Sequence, residues 1–320
     1  MEEWDNGEDL WDVQEELPPD HRSGFVAMVG KPNVGKSTLM NAWLGVKLAA
    51  VSPKPQTTRT SMLGILTRPD AQVIFVDTPG IHEPRTKLGA YMVDKAQRAI
   101  DDADLILFVA DITEAPDEND RQAAQFLADN VPAGLPMVLA LNKADAASDE
   151  VRTANRAAYE SLGAFREALE ISALTGMNRD ALLQRIIANL PEGPRFYPED
   201  QLTDAQERFI AAELIREQAL NALEQEVPHA LAVVVQDFQE RENGVLYISA
   251  NLFVEKESQK GIVIGRGGSM LKQIGQDARH ELEAFFETKV YLELWVKVRK
   301  NWRRNEHYLR QLGYPKARRR

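Results

Sequence analysis

The octapeptide Gly30-Lys31-Pro32-Asn33-Val34-Gly35-Lys36-Ser37 constrains the fold of this chain more than any other stretch. It fits G-x-x-x-x-G-K-[ST], with the apolar run Phe25–Val29 before it and a helical pattern over Lys36–Leu44 after it. A buried strand, a glycine turn and a helix start, in that order, aim backbone N–H groups and the positive end of a helix at one point, which makes a cradle for phosphate. Gly30 and Gly35 let the backbone approach closely. Lys36 can reach β- and γ-phosphates, and Ser37 can offer a hydroxyl to Mg2+. The surroundings agree with a strand feeding a helix. Apolar runs at Val73–Val76, Leu105–Ala110 and Met137–Leu141, with weaker ones at Ser61–Leu66 and Ala168–Ile171, alternate with helical patterns at Lys87–Ile100, Asp117–Ala128, Glu150–Leu162 and Asn178–Leu190. This alternation predicts an α/β fold, a mostly parallel sheet with helices on both faces.

Three later motifs turn the cradle into a nucleotide site. Asp77-Thr78-Pro79-Gly80 ends the run Val73–Val76; an aspartate there holds Mg2+ through water, and the Gly80 N–H can sense a γ-phosphate. Asn142-Lys143-Ala144-Asp145 leaves the run Met137–Leu141. The Asp145 carboxylate offers acceptors to the N1–H and N2 amino group of guanine, and against adenine it would be left unpaired. Asn142 can bond the base and brace the loop, the Lys143 stem can pack on the ring, and a backbone N–H of Ser172-Ala173-Leu174 can meet the guanine oxygen. Singly, D-x-x-G and S-A-L are ordinary turns; the four motifs in order are very hard to reach by chance. GTP or GDP with Mg2+ is the expected ligand, held by residues Gly30 to Thr38 and by the two base loops. In Ser52-Pro53-Lys54-Pro55-Gln56-Thr57-Thr58-Arg59 a threonine can complete the magnesium shell once γ-phosphate is present. Thr57 and Thr58 both qualify, and spacing does not choose between them; Ser37 and Asp77 complete the expected metal set.

The chain has 320 residues, more than a single core usually accommodates. Pro191-Glu192-Gly193-Pro194-Arg195-Phe196-Tyr197-Pro198 cannot continue a helix. We therefore read residues 1–21 as an acidic disordered tail, 22–190 as the nucleotide domain, 191–200 as a linker and 201–320 as a second domain. There, Thr203 and Asp204 can cap a helix over Ala205–Leu223. Strand-like runs follow at Ala230–Phe238 and Val245–Phe253, then Ile262-Val263-Ile264, a glycine loop, a helix to about Phe286, the strand Val290–Val298 and a short helix near Trp302–Leu312.

The net charge of −11 conceals an asymmetry: residues 1–200 carry a balance of −13 and residues 201–320 one of +2. From Lys289 to Arg320 there are 11 basic residues against two acidic ones, an end suited to a polyanion. The absence of cysteine excludes disulfides and thiolate metal sites and suits a cytoplasmic location, and no apolar run reaches membrane-span length. The scattered histidines have no metal-ligand spacing.

Gly265-Arg266-Gly267-Gly268 is a G-x-x-G loop before a helix. In KH domains such a loop clamps the backbone of about four nucleotides. Alone it is weak; the surrounding α-β-β-α-α-β order and the basic end strengthen it. Candidate RNA contacts are Ile264, Gly265, Arg266, Gly267, Gly268, Lys272 and Arg279. Leu292-Glu293-Leu294-Trp295-Val296-Lys297-Val298 alternates like a half-buried strand, and on the general preference of large aromatics for burial Trp295 is expected in the core. Trp302, beside Arg303 and Arg304, is the better nucleic-acid candidate, with packing of the last helix as the plain alternative.

The P-loop, Pro55-Gln56-Thr57-Thr58-Arg59, Asp77–Gly80, Asn142–Asp145, Ala278-Arg279 and Leu292–Val298 together resemble the Era-type GTPases, from about Ser23 to Tyr314. The resemblance implies a P-loop NTPase domain followed by an α+β KH domain of type II. It further implies slow GTP hydrolysis and assistance to maturation of the 30S ribosomal subunit through small-subunit ribosomal RNA near its 3′ end. Lys36, Asn33, Thr58 and Gly80 are then the catalytic candidates. Pro32-Asn33-Val34 also resembles the P-loops of potassium-activated GTPases, in which this asparagine is a ligand, so K+ is a further candidate ion. Ile81 stands where Ras-like enzymes hold a water-orienting glutamine, which fits slow turnover. The rival reading is a membrane-associated signalling switch, in peripheral contact with the inner membrane through the basic end; a G-x-x-G loop is not required for that.

Overall fold

The computed structural model describes residues 17–54, 57–81, 84 and 86–314. Most of the acidic tail, the terminal basic residues after Tyr314, and Pro55, Gln56 and His82 lie outside the described residues.

The first half runs β1 (Arg22–Val29), α1 (Lys36–Leu44), β2 (Met62–Thr67), β3 (Ala71–Asp77), α2 (Lys87–Asp101), β4 (Leu105–Asp111), α3 (Glu118–Asn130), β5 (Met137–Asn142), α4 (Asp149–Glu160), β6 (Glu167–Glu170) and α5 (Arg179–Asn189). The strands form one sheet in the order β2-β3-β1-β4-β5-β6, with β2 antiparallel and the others parallel. Every residue of β3 and of β4 is buried, which is why they read as unbroken apolar runs. The register sets Asp77 beside Met28, and Asn142 beside Asp111. The carboxyl ends of β1, β3, β4 and β5 thus open on one rim, where ligands of such sheets bind.

The second half runs α6 (Glu207–Ala222), α7 (Val227–Ala230), β7 (Ala232–Glu240), β8 (Leu246–Val254), α8 (Glu257–Ile264), α9 (Ser269–Phe286), β9 (Val290–Val298) and α10 (Glu306–Gln311), with 3-10 turns at Arg266–Gly268 and Trp302–Arg304. Its sheet has the order β7-β8-β9, antiparallel and then parallel. One face packs Ile248, Ala250 and Leu252 against Leu214 of α6 and Ile274, Ala278 and Leu282 of α9.

Two details depart from the sequence reading. Helix α6 starts after Gln206, and neither Thr203 nor Asp204 caps it. The Thr203 hydroxyl instead donates to the Leu63 carbonyl of β2 at 2.7 Å. The two tryptophans exchange places. Trp302 is fully buried, its indole N–H donating to the Ala230 carbonyl at 2.8 Å, whereas Trp295 is 60% exposed. Alternation explains Trp295: it shares a strand face with Glu293 and Lys297, and Leu292, Leu294 and Val296 take the core side.

The proline-rich stretch is tied down along its length. His21, only 3% exposed, bonds the Gly193 carbonyl, and the Ser23 hydroxyl donates to the Pro194 carbonyl. The buried Gln72 amide accepts from the Phe196 and Tyr197 N–H groups and donates to the Tyr197 carbonyl. Farther on, the Ile65 N–H of edge strand β2 donates to the Leu202 carbonyl at 2.8 Å.

Candidate nucleotide and RNA sites

Glycine is obligatory at two points of the loop between β1 and α1. Gly30 has φ of 150°, and a Cβ there would stand 2.2 Å from the Val109 carbonyl oxygen. At Gly35, φ is 100° and a Cβ would stand 2.3 Å from Asn142 Nδ2. The Lys36 ammonium lies inside the loop, donating to the carbonyls of Gly30 (3.1 Å) and Lys31 (3.0 Å). Burial lowers its pKa to about 8, opposed by the nearby Asp77 charge. A buried cation whose neighbours are carbonyls and one carboxyl gains most from an arriving polyanion.

At the rim end of β3, the Ser37 hydroxyl donates to Asp77 Oδ2 at 2.6 Å and lies 3.0 Å from the Thr58 hydroxyl, which also donates to Oδ2 at 3.1 Å. Asp77 is fully buried, and burial raises its pKa. Its other oxygen, Oδ1, is buried without a hydrogen-bond partner. Hard oxygen donors around an orphaned carboxylate oxygen fit Mg2+, which takes few protein ligands and keeps water and phosphate for the rest. The Thr57 hydroxyl is not part of this cluster; it donates to the Lys54 carbonyl at 2.6 Å. Gly80 lies against the loop from the other side: a Cβ there would meet Pro32 N at 2.6 Å. Ile81 is buried among Ala27, Val29 and Val76.

At the base end, the Asn142 amide donates to the Val34 carbonyl (2.7 Å) and accepts from the Ala173 N–H (2.9 Å), bracing the phosphate loop against the Ser172 turn. Lys143, at φ of 65°, pairs with Asp111 at 2.5 Å. The Asp145 carboxylate is exposed at the pocket wall. Leu174, 82% exposed, lines the same pocket. A pocket of about 570 Å³ joins the two ends, from Asn33, Gly35, Lys36, Ser37, Thr38, Thr58 and Gly80 to Asn142, Lys143, Asp145, Ser172, Ala173 and Leu174. Asn33, at φ of 65°, donates from its amide to the Pro53 carbonyl at 2.7 Å.

Two residues of the cradle turn their side chains elsewhere. Val34 is a core residue. Lys31 leaves the pocket and pairs with Asp120 (2.8 Å) and Asp117 (3.2 Å). The single Tyr159 O–H is shared between Asp120 Oδ2 (3.2 Å) and the Asp111 carbonyl (3.1 Å). This buried network backs the phosphate loop, and no sequence motif announced it.

In the second half, Gly265, Gly267 and Gly268 have φ of 73°, 61° and 82°, a run that side-chain-bearing residues resist. At Gly265 a Cβ would also stand 2.7 Å from Met270. Arg266 is exposed at the loop tip. Below it lies a groove of about 480 Å³ between α9, with Leu271, Lys272 and Arg279, and β9, with Tyr291, Leu292 and Leu294. Ile264 packs against the core instead of lining the groove.

The two halves meet at the segment holding Thr58. Arg59 is 2% exposed and donates to the carbonyls of Leu231, Pro228 (3.2 Å) and His229 (3.2 Å) around α7. From α6, the buried Arg216 donates to the Thr57 carbonyl and pairs with Glu213. Lys47, after α1, bridges Glu217 of α6 and Glu281 of α9, each at 2.8 Å. Arg59 was legible only as part of a motif; Arg216 carried no signal at all.

Residues 25–143 match a family described as a 50S ribosome-binding GTPase, and residues 226–303 match the KH domain family. The GTPase Era of Caldicellulosiruptor saccharolyticus is 48% identical over 295 residues, covering 92% of this chain and 97% of that one. The GTPase Era of Clostridium botulinum (strain Eklund 17B) is 47% identical over 295 residues, at 92% and 99% coverage. Among solved structures, Era in complex with MgGDPNP and nucleotides 1506-1542 of 16S ribosomal RNA superposes with a TM-score of 0.86 at 40% identity, covering 92% of this chain and 99% of that one. A point variant of Aquifex aeolicus Era bound to GDP.AlF4- gives 0.87 at 40% identity, with the same coverage. Similarity of this degree over both halves settles the family: the chain belongs to the Era GTPases.

Proposed function

We propose that this chain is a Mg2+-dependent GTPase that grips small-subunit ribosomal RNA near its 3′ end through its KH half and uses its nucleotide state to govern that grip during 30S subunit maturation. The observation that carries the reading is the single pocket that joins the Ser37–Thr58–Asp77 cluster to Asp145, in a chain that also holds the glycine-loop groove. Asp145 reads the N1–H and N2 of guanine, and a backbone N–H of the Ala173-Leu174 turn meets its oxygen. Asn142 holds the loops at the right separation through its two bonds. Lys36 transfers its ammonium from the Gly30 and Lys31 carbonyls to the β- and γ-phosphates. Thr58 and the Gly80 N–H hold the γ-phosphate side. Ser37, Thr58 and Asp77 would hold Mg2+, which when bound would supply charge neutralisation for water attack on the γ-phosphate. The buried Ile81 cannot orient that water, consistent with slow turnover. Asn33, beside the Pro53 carbonyl, offers a second cation position; faster turnover in K+ than in Na+ at equal ionic strength checks it.

The rival membrane reading finds no observation of its own. Among the described residues no helix is long and apolar enough to cross a bilayer, and a loop of three positive-φ glycines suits close approach to a nucleic-acid backbone.

Two variants of the full chain test the two halves separately. Asp145→Asn should weaken GTP binding by about ten- to a hundred-fold, the loss of a charge-assisted hydrogen bond or two, and should accept xanthosine triphosphate. Arg266→Glu with Gly267→Asp should abolish binding to single-stranded RNA from the 16S 3′ end and leave GTP affinity intact. Unchanged base choice in the first, or unchanged RNA affinity at moderate salt in the second, would sink the corresponding half of the reading.

A further inference from the structure

The sheet of the KH half has a second face. On it, β8 presents Tyr247, Ser249, Asn251 and Phe253, and β9 presents Tyr291, Glu293, Trp295 and Lys297, paired in that order across the two strands. Phe253 is closed over by Trp302 and the C-terminal segment. The rest is open. Of the three strongly exposed aromatic side chains among the described residues, two, Trp295 at 60% and Tyr291 at 50%, stand on this one strand face. The Tyr247 and Tyr291 rings lie side by side, centroids 6.0 Å apart and planes 27° apart. The Arg241 guanidinium sits 4.4 Å from one centroid and 5.1 Å from the other. Between this cluster and Trp295 lie the buried Ser249 and Asn251 of β8 and the partly covered Glu293 of β9. Four residues along one strand separate Tyr291 from Trp295 by roughly 13 Å, so they form two platforms, not one stack.

We propose that this face is a second single-stranded RNA surface, on which bases stack against Trp295 and against the Tyr247–Tyr291–Arg241 cluster after the strand leaves the glycine-loop groove. The proposal rests on the reading of that groove as RNA-binding. Continuity selects the occupant: Tyr291 lines the groove with Lys272 and Arg279 and is also the first aromatic of the open face. Exposed aromatic rings on an edge strand, with a guanidinium against them, are the chemistry by which proteins hold unpaired bases. The acidic groups present agree with contact to bases and not to phosphates. Glu293 already accepts from the Tyr247 hydroxyl at 3.0 Å, and Asp237 stands across Ser249. A surface that stacks bases without neutralising phosphates adds affinity but little salt dependence.

The test uses the full chain with two fluorescently labelled RNA oligonucleotides, one of about four nucleotides, enough for the clamp, and one of about twelve. Trp295→Leu should lower affinity for the long oligonucleotide roughly ten-fold, leave the short one unaffected, and leave the salt slope unchanged. Trp295→Phe should restore most of the loss, and the long oligonucleotide should quench tryptophan emission in the parent but not in Trp295→Leu. Equal binding of the long oligonucleotide by parent and Trp295→Leu overturns the proposal. So does a Trp295→Leu chain that binds both oligonucleotides normally but no longer associates with 30S subunits, which would make the face a protein contact. Failure of the groove reading is separate: the parent would not bind the short oligonucleotide, and Arg266→Glu with Gly267→Asp would change nothing.

Discussion

Thr57 and Thr58 are adjacent and identical in chemistry, and no spacing rule separates them. Tertiary structure does: the Thr57 carbonyl is taken by Arg216 and its hydroxyl by the Lys54 carbonyl, which leaves Thr58 facing Ser37 and Asp77. Thr58→Ala should therefore reduce GTP turnover at least ten-fold and blunt its magnesium dependence, whereas Thr57→Ala should leave both near the parent; stopped-flow turnover against Mg2+ concentration measures each. Lys36 yields a pH prediction. Its pKa is lowered to about 8 in the nucleotide-free protein, and phosphate oxygens would raise it again. Binding therefore takes up protons above about pH 8 and few below pH 7. GTP affinity should fall as pH rises through 8, and calorimetry in buffers of different ionisation heat should show the uptake. If affinity is flat from pH 7 to 9, Lys36 stays charged throughout.

At the scale of elements, legibility followed burial. β3 and β4 are buried on both faces and read directly as apolar runs, and α1 was bounded by the loop before it and Gly45 after it. The strand β2, antiparallel at the edge, gave a weaker pattern because half its residues are only partly covered. The tryptophans show what local reading lacks. Trp302 looked like a nucleic-acid contact because basic residues flank it, yet it fills the space between β8 and α10. Trp295 was assigned to the core on the general preference of large aromatics, although the alternation of its own strand had already placed it with Glu293 and Lys297. The two should separate cleanly in thermal melts. Trp302→Ala should cost about 3–5 kcal/mol, and Trp295→Ala within about 0.5 kcal/mol; comparable losses in both would contradict the burial seen here.

Over the whole molecule, the backbone segment that carries Thr58 in the nucleotide site is also held by the KH half, through α6 and α7. Thr58 is flanked by a residue held from α6 and by a residue inserted among the carbonyls of α7. None of this is written in either half's motifs, because the contacts join positions more than 150 residues apart. Coupling through such a segment is reciprocal: if a GTP analogue changes RNA affinity by some factor, RNA changes analogue affinity by the same factor, commonly about 5- to 150-fold. Arg59→Ala should bring both factors toward one, and the variant should still bind each ligand alone. Because three carbonyls, two of them in buried bonds, would lose their donor, Arg59→Lys serves as the milder companion. Two unequal factors in the parent would show that the ligands are linked by something other than this segment.

The strap from Pro191 to Thr203 has a practical consequence. It supplies the Leu202 carbonyl and the Thr203 hydroxyl to β2, the strand that otherwise ends the sheet with unpaired backbone groups. A bare edge of that kind is a template on which a second molecule can add a strand. The nucleotide half expressed alone and cut after Leu190 should self-associate as its concentration rises. The same half ending after Thr203, or nicked by a protease only beyond that point, should stay monomeric in sedimentation. Where an experimenter divides this chain therefore decides whether the piece behaves as a domain or as the seed of an aggregate.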